Sequence, residues 1–387
     1  VKKLILALII CILSISNFIY LSLHHYELRM GVSGGQSVCN ISQTFNCDTA
    51  AASTFSTFLS IPVAVWGLIG QIFLALLLLI CLTGLNQNRA RVLNYGFYLS
   101  AMFAAVSVLM LSISVFQLGS FCPFCMVAYG LSFAQLAVMF VLRETGSFAE
   151  DLKDLFNQHK WVAIAGVVTL ASSWLVNAMM MDNFGGSKIE PYITESVENW
   201  KLNPTLSFDE SSGLSTSAEP AKMTIVEFAD FKCPHCKIAS TSLHSFMHSR
   251  KGVKLIYKPF PLDAGCNSVI KQGGDDLRCQ FPAAVFCAED INKTGWKLHN
   301  WIFANQDKWF APVNKEDVVK SMSEVVGITT EDLQKCLSSE ATMAKVKANA
   351  LEGSNAKIQG TPAIFVNGKK LDRGQFLSVL ERVYESL

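Results

Sequence analysis

The chain has 387 residues, room for two or three domains of ordinary size. Half of it is hydrophobic and only 16% is charged, against about 25% in a soluble globular protein, and residues 1–181 hold just 14 of the charged side chains while the remaining 206 hold 49. This division excludes a single soluble globule and a disordered chain, and a net charge of +1 with no basic block argues against nucleic-acid binding.

Five apolar runs are long enough to cross a bilayer, which takes about 20 residues. They are roughly Leu4–Leu23, Ile61–Thr83, Leu93–Leu118, Cys122–Leu142 and Trp161–Met181. The first follows Lys2 and Lys3 like a secretory signal, but it is long, has no small-x-small cleavage site and precedes further spans, so it is expected to be a retained helix. Lys2, Lys3, Arg89, Arg91, Arg143, Lys153 and Lys160 flank the spans on one side, whereas the opposite loops carry only Arg29. The excess of Lys and Arg on cytoplasmic loops predicts a cytoplasmic N-terminus, with everything after Met181 on the outer, oxidising face of a bacterial inner membrane. Cys39, Cys47, Cys122, Cys125 and the whole C-terminal half then share that face. Cys11 and Cys81 lie inside apolar runs and read as inert.

Cys122-Pro-Phe-Cys125 opens the fourth span. Pro suits the first helical position, and a cysteine at a helix N-terminus meets unsatisfied N–H groups and the positive end of the dipole, which favour thiolate. Cys39 and Cys47 are eight residues apart, a spacing that allows either a static staple or a shuttle. Gly31, Gly34 and Gly35 upstream favour a mobile loop.

Cys39-x7-Cys47, Ser53 six residues later, Ser60-Ile61-Pro62 at the start of the second span, and Cys122-x-x-Cys125 followed by Tyr129 together resemble the vitamin K epoxide reductase family, over about residues 1–145. The resemblance implies a four-helix bundle enclosing a quinone, ubiquinone or menaquinone. It implies that Cys125 meets the quinone with Cys122 as its partner, that Cys47 exchanges with Cys122, and that Cys39 faces an external donor. Ser53 and Tyr129 match positions near the quinone oxygens. The Asn that contacts quinone from the family's second span has no counterpart here.

Residues Asp182–Lys222 read as a linker, with Ser211–Pro220 expected to lack order. Met223–Phe231 reads as a strand, and Lys232-Cys233-Pro234-His235-Cys236 then opens a helix, the thioredoxin arrangement. Cys233 is the expected nucleophile, its thiolate favoured by the dipole and by protonated His235, with Cys236 resolving the mixed disulfide. Pro-His between the cysteines resembles the DsbA-like oxidant class, whose reduced form is the stabilised one. Gly360-Thr361-Pro362 before an apolar strand matches that fold's cis-proline loop, where Thr361 would meet a client peptide. This resemblance spans about residues 222–387.

Two C-x-x-C pairs can form a zinc site, but these lie over 100 residues apart in unlike settings, so no metal is expected. His244 and His248 are expected on a solvated helix face. Parity and proximity in an oxidising compartment suggest structural disulfides Cys266–Cys279 and Cys287–Cys336. The expected architecture is a membrane all-α bundle of four core helices (1–145), then a cytoplasmic loop, fifth transmembrane helix and linker (146–222), then an α/β thioredoxin-like domain with a helical insertion (223–387). The expected activity generates protein disulfides: thiols of reduced secreted or periplasmic clients feed Cys233/Cys236, then Cys39/Cys47, then Cys122/Cys125, and finally the membrane quinone pool. An outward-running reductase or isomerase, and a membrane-tethered binding protein without turnover, are the rival readings.

Overall fold

A computed structural model describes residues 1–31, 37, 39–40, 45–84, 88–144, 146–216 and 220–387. Gly34 and Gly35 lie outside these residues. The chain divides into two compact units near Lys188.

The first unit is helical. Long helices α1 (Lys2–Met30), α3 (Val63–Thr83), α4 (Arg89–Ile113) and α5 (Pro123–Leu142) pack side by side, with a short α2 (Cys47–Ala52) ahead of a two-residue hairpin, β1 (Thr57–Phe58) and β2 (Ile61–Pro62). In lipid no hydrophobic drive pulls helices together, so close approach depends on small residues. Gly67 shows this: a Cβ there would lie 2.6 Å from the Phe18 ring of α1. A Cβ added at Gly96 would likewise lie 2.8 Å from the Met139 methyl group of α5. A helix α6 (Phe148–Asn157) follows, fastened by its buried Asp151, which accepts from Arg91, from Asn94 Nδ2 at 2.9 Å and from the Tyr98 hydroxyl at 2.8 Å. Next, α7 (Lys160–Asn183) lies against α3, where Trp66 and Trp174 meet edge to face at 5.1 Å, and the Tyr26 hydroxyl donates to Asn177 Oδ1 at 2.6 Å. Five helices among the described residues have the length and composition to cross a membrane.

The second unit starts earlier than residue 223. The stretch read as a linker holds a helix, α8 (Gly186–Leu202), whose Ile193, Val197 and Trp200 are buried, and the Trp200 indole donates to Val366 O at 3.0 Å. The i, i+4, i+7 spacing of those three residues is a helical face hidden among charges. Farther on, Asp209 O and Ser212 Oγ each accept from the buried Lys258 ammonium at 2.7 Å, and β3 (Leu214–Ser215) joins the sheet. Residues 209–216 are therefore built into the domain, contrary to the expected lack of order; residues 217–219 lie outside the described ones.

The sheet runs β3-β5-β4-β6-β7, with β4 (Met223–Ala229), β5 (Val253–Pro259), β6 (Ala363–Val366) and β7 (Lys369–Lys370). Only the β4/β5 pair is parallel, and α9 (Pro234–Ser249) makes the crossover between them. Between β5 and β6 lies the helical insertion: α10 (Asp276–Asn292), α11 (Gly295–Ala304), α12 (Lys315–Val326), α13 (Thr330–Leu337) and α14 (Glu340–Asn355). The last helix is α15 (Leu377–Ser386). Cys266 is bonded to Cys279, and Cys287 on α10 to Cys336 on α13. His244 is not on a solvated face. Its ring packs against Trp296 and His299 at 5.0 and 5.5 Å, and burial holds its pKa well below the usual histidine value, while His248 stays exposed.

Candidate functional site

In the helical unit, two helix starts face each other. Asn46 caps α2 by accepting from Thr49 N at 3.0 Å, so the first residue of that helix is Cys47. Cys122 caps α5, its sulfur accepting from Cys125 N at 3.2 Å, and Pro123 fills the first helical position as the motif requires. A backbone bond from Asn46 N to Phe121 O, 2.9 Å, ties the two turns together. Cys47 Sγ and Cys122 Sγ consequently lie 3.2 Å apart, both buried. Cys47 is bonded to Cys39, while Cys122 and Cys125 are thiols. Cys39 has Ser37 Oγ at 3.1 Å and the Tyr20 hydroxyl at 3.8 Å. At 3.2 Å a sulfur is within reach of attack on a disulfide.

The sequence reading missed what braces this junction. Asp48, buried beside Cys47, has its Oδ1 2.9 Å from His24 Nε2 and accepts from Asn40 Nδ2 through its other oxygen. Asn40 Oδ1 in turn accepts from Cys47 N at 3.0 Å. The signal was available in an Asp directly after a cysteine and a His within an apolar run.

A cavity of about 120 Å³ adjoins the sulfurs, lined by Cys47, Cys122, Cys125, Ser53, Tyr129 and His24. Ser53 is buried and donates to Ala50 O at 2.8 Å. The mid-helix amide of the second span, Gln71, is buried but lines neither this cavity nor its neighbour.

In the second unit, β4 delivers the chain to Cys233, which precedes α9, with Pro234 again at the helix start. Asp230 braces the approach, accepting from Lys232 N, Leu262 N and Arg278 Nη1, each at 2.6 Å. Gln306, not foreseen, donates to both Phe231 O and Cys233 O at 2.8 and 2.9 Å. Cys233 Sγ lies 3.3 Å from Thr361 O, and the Thr361-Pro362 bond is cis. The Cys236 thiol, donating to Cys233, lowers the Cys233 pKa to about 6 against the opposing effect of burial. Thr361 and the backbone N–H groups of Cys236 and His235 add to the effect. His235 thus acts through its backbone; its side chain is exposed. Cys236 is fully buried, and burial, then the neighbouring Cys233, push its thiol well above the usual range. Both sulfurs are buried, Cys236 completely and Cys233 with 8% of its surface still exposed, so the thiol with the lowered pKa is the less enclosed of the two.

Residues 5–140 match the vitamin K epoxide reductase family, and residues 214–383 match the family described as thioredoxin. This chain joins a vitamin K epoxide reductase domain to a thioredoxin-like domain. Disulfide bond formation protein D of Bacillus subtilis is 27% identical over 165 residues, covering 39% of this chain and 66% of that protein. A Rickettsia bellii protein named for protein-disulfide oxidoreductase activity is 25% identical over 198 residues, 49% of this chain and 72% of its own. Among solved structures, oxidised BdbD from Bacillus subtilis matches 48% of this chain and 97% of its own at 18% identity and a TM-score of 0.41. The two domains together mark the chain as a thiol-disulfide oxidoreductase.

Two predictions concern the thioredoxin-like domain. Because the folded Cys233 pKa is below the ordinary value near 9, its thiolate stabilises the reduced domain fully above about pH 9 and ceases to do so as pH falls through about 6. Alkylation of the reduced protein at Cys233 by iodoacetamide should rise with a midpoint near pH 6; a midpoint near 9 would refute the depressed pKa. Glu227 on β4 is fully buried with Oε1 unpartnered, and burial, then Cys233, raise its pKa to about 8. Domain stability should therefore decline as pH rises from the ordinary carboxyl value through about 8. Glu227→Leu should remove that decline and add about 1–3 kcal/mol at high pH. Denaturant melts at pH 6 and 9 check it, and an unchanged pH dependence in the variant would count against Glu227 as its source.

Proposed function

We propose that the protein makes disulfides for exported clients and passes the electrons to a membrane quinone. The 3.2 Å approach of Cys47 to Cys122 carries this reading, because it joins a loop disulfide to a helix-end pair that opens on a cavity. A client thiolate attacks Cys233 of the Cys233–Cys236 disulfide, freeing Cys236. The client's second thiol then displaces Cys233, which releases an oxidised client and leaves both cysteines of the pair as thiols. Cys233 thiolate then attacks Cys39, freeing Cys47, and resolution by Cys236 leaves both loop cysteines reduced. Cys47 attacks Cys122 of an oxidised Cys122–Cys125 pair, and Cys39 then closes on Cys47. The outcome is the arrangement seen here, with Cys39–Cys47 bonded and Cys122 and Cys125 as thiols. A quinone would supply a two-electron, two-proton acceptor, balancing the two thiols that become a disulfide. The cavity suits one: sulfurs and the polar groups of His24, Ser53 and Tyr129 stand at its rim, and a larger apolar cavity adjoins it. Those rim residues would hold the ring.

The charge bias of the loops supports a bacterial inner membrane, with five crossings, a cytoplasmic N-terminus and the thioredoxin-like domain on the periplasmic side. The test is quinone absorbance during turnover by the full chain in detergent, with a reduced dithiol peptide as donor. Loss of quinone that stops in both Cys122→Ala and Cys233→Ala is the expected result. No quinone loss in the wild type would overturn the oxidase reading in favour of outward reduction.

A further inference from the structure

Beside the cysteine cavity lies a second, of about 350 Å³, walled by α1, α3, α4, α5 and α7. Its size falls within the range of about 300–1,000 Å³ of small-molecule sites. Five residues, Phe18, Val63, Met110, Ala128 and Tyr129, line both cavities, so the two adjoin through a shared wall. They differ in character: the first presents thiols, hydroxyls and an imidazole, the second almost wholly hydrocarbon. Gly166, Thr169 and Leu170 of α7 contribute to the lining of the second cavity and do not line the first. That helix lies beyond residues 5–140, which match the vitamin K epoxide reductase family. The Thr169 hydroxyl is turned back to its own helix, donating to Ala165 O at 2.6 Å, and leaves its methyl group for the cavity wall. At Gly166 an added Cβ would stand 3.7 Å from the Phe73 ring, ordinary contact, so the glycine is not demanded by helix packing and a larger side chain there can be accommodated.

We propose that the second cavity holds the prenyl tail of the quinone and that α7, beyond acting as a link between domains, forms the tail wall and sets the preference for long-tailed over tail-less quinones. The occupant follows from the pairing of a polar-rimmed cavity at the thiols with an adjoining apolar one, the same amphipathic order as a ring carrying a hydrocarbon chain. This rests on the quinone reading above, and the experiment separates the two. Trp66 lines the second cavity, so a bound quinone should quench its fluorescence, and subtracting the signal of Trp66→Phe isolates that quenching. The full chain in nanodiscs is titrated with a tail-less and a long-tailed quinone of the same ring, beside Gly166→Leu, Thr169→Phe and, as control, Val168→Leu on the exposed side of α7.

The expected result is tighter binding of the long-tailed quinone to the wild type. Gly166→Leu and Thr169→Phe should lose about tenfold of that affinity, equivalent to about 1.4 kcal/mol, with tail-less binding and the Val168→Leu protein unchanged. Equal losses for both ligands would mean general damage to the bundle and would overturn the assignment. So would a tail preference that survives in both filled variants, or long-chain phospholipid displacing the quinone as well as a second quinone does. Turnover of tail-less quinone without any advantage for a tail would sink this inference and leave the proposed function standing; absence of both binding and turnover with either quinone would sink the function itself.

Discussion

Cys125→Ser protein is expected to lose at least about a thousandfold of its quinone-dependent turnover and to accumulate a Cys47–Cys122 bond. Replacing a nucleophile that acts as part of a unit commonly removes most of the catalysis. The trapped species follows from the geometry. Cys122 lies 3.2 Å from Cys47, and Cys47 is bonded to Cys39, so attack by Cys122 at that sulfur releases Cys39 and forms the mixed disulfide. In the wild type Cys125, one helical turn from Cys122, reverses or completes the exchange; with serine there, only Cys39 can reopen the bond. Non-reducing peptide mapping should recover a fragment joining the two segments once donor has drawn Cys39 away. Recovery of Cys39–Cys47 alone, with turnover intact, would break the relay at this step.

Loss of the Cys287–Cys336 bond is the change expected to weaken the thioredoxin-like domain most. The bond spans 49 residues and fastens α13 to α10, whose segment from Phe281 to Ala288 is almost solidly buried. Constraint of the unfolded chain over a loop of that length contributes about 4 kcal/mol, against about 3 kcal/mol for the 13-residue span of Cys266–Cys279. The double variant Cys287→Ala/Cys336→Ala should therefore unfold at markedly lower denaturant, followed through Trp301 and Trp309 fluorescence. A loss below about 1 kcal/mol would show that the insertion is held by packing alone.

The membrane helices were legible because lipid imposes a simple rule: some 20 apolar residues in a row have few alternatives to a spanning helix. The two C-x-x-C helix starts were equally readable, since proline at the first helical position and cysteine at the cap are local devices. What escaped depends on partners distant in sequence. Residues 186–202 look like a linker by charge, and only Ile193, Val197 and Trp200, three apolar positions in a polar stretch, carry the helix; Trp200 shows its purpose once Val366 is beside it. His244 reads as a surface residue until Trp296 and His299 arrive from α11. Glu227 hides in an apolar strand, where a lone carboxyl passes for the solvent-facing member of the alternation. Asp48 and His24 are 24 residues apart, and only the return of the loop onto α1 makes them neighbours. The tail wall on α7 was least visible of all, because a glycine in an apolar helix signals close packing as readily as space.

One further property follows from the oxidation pattern, a closed Cys39–Cys47 bond beside open pairs at Cys122/Cys125 and Cys233/Cys236. Pairs that open and close separately make the chain a small capacitor. Under the proposed relay each can hold two electrons in transit, so clients can continue to be oxidised for a few turns while acceptor is scarce, and the stored charge drains when acceptor returns. Supply and demand in the envelope need not be matched from moment to moment, because the enzyme itself smooths the current.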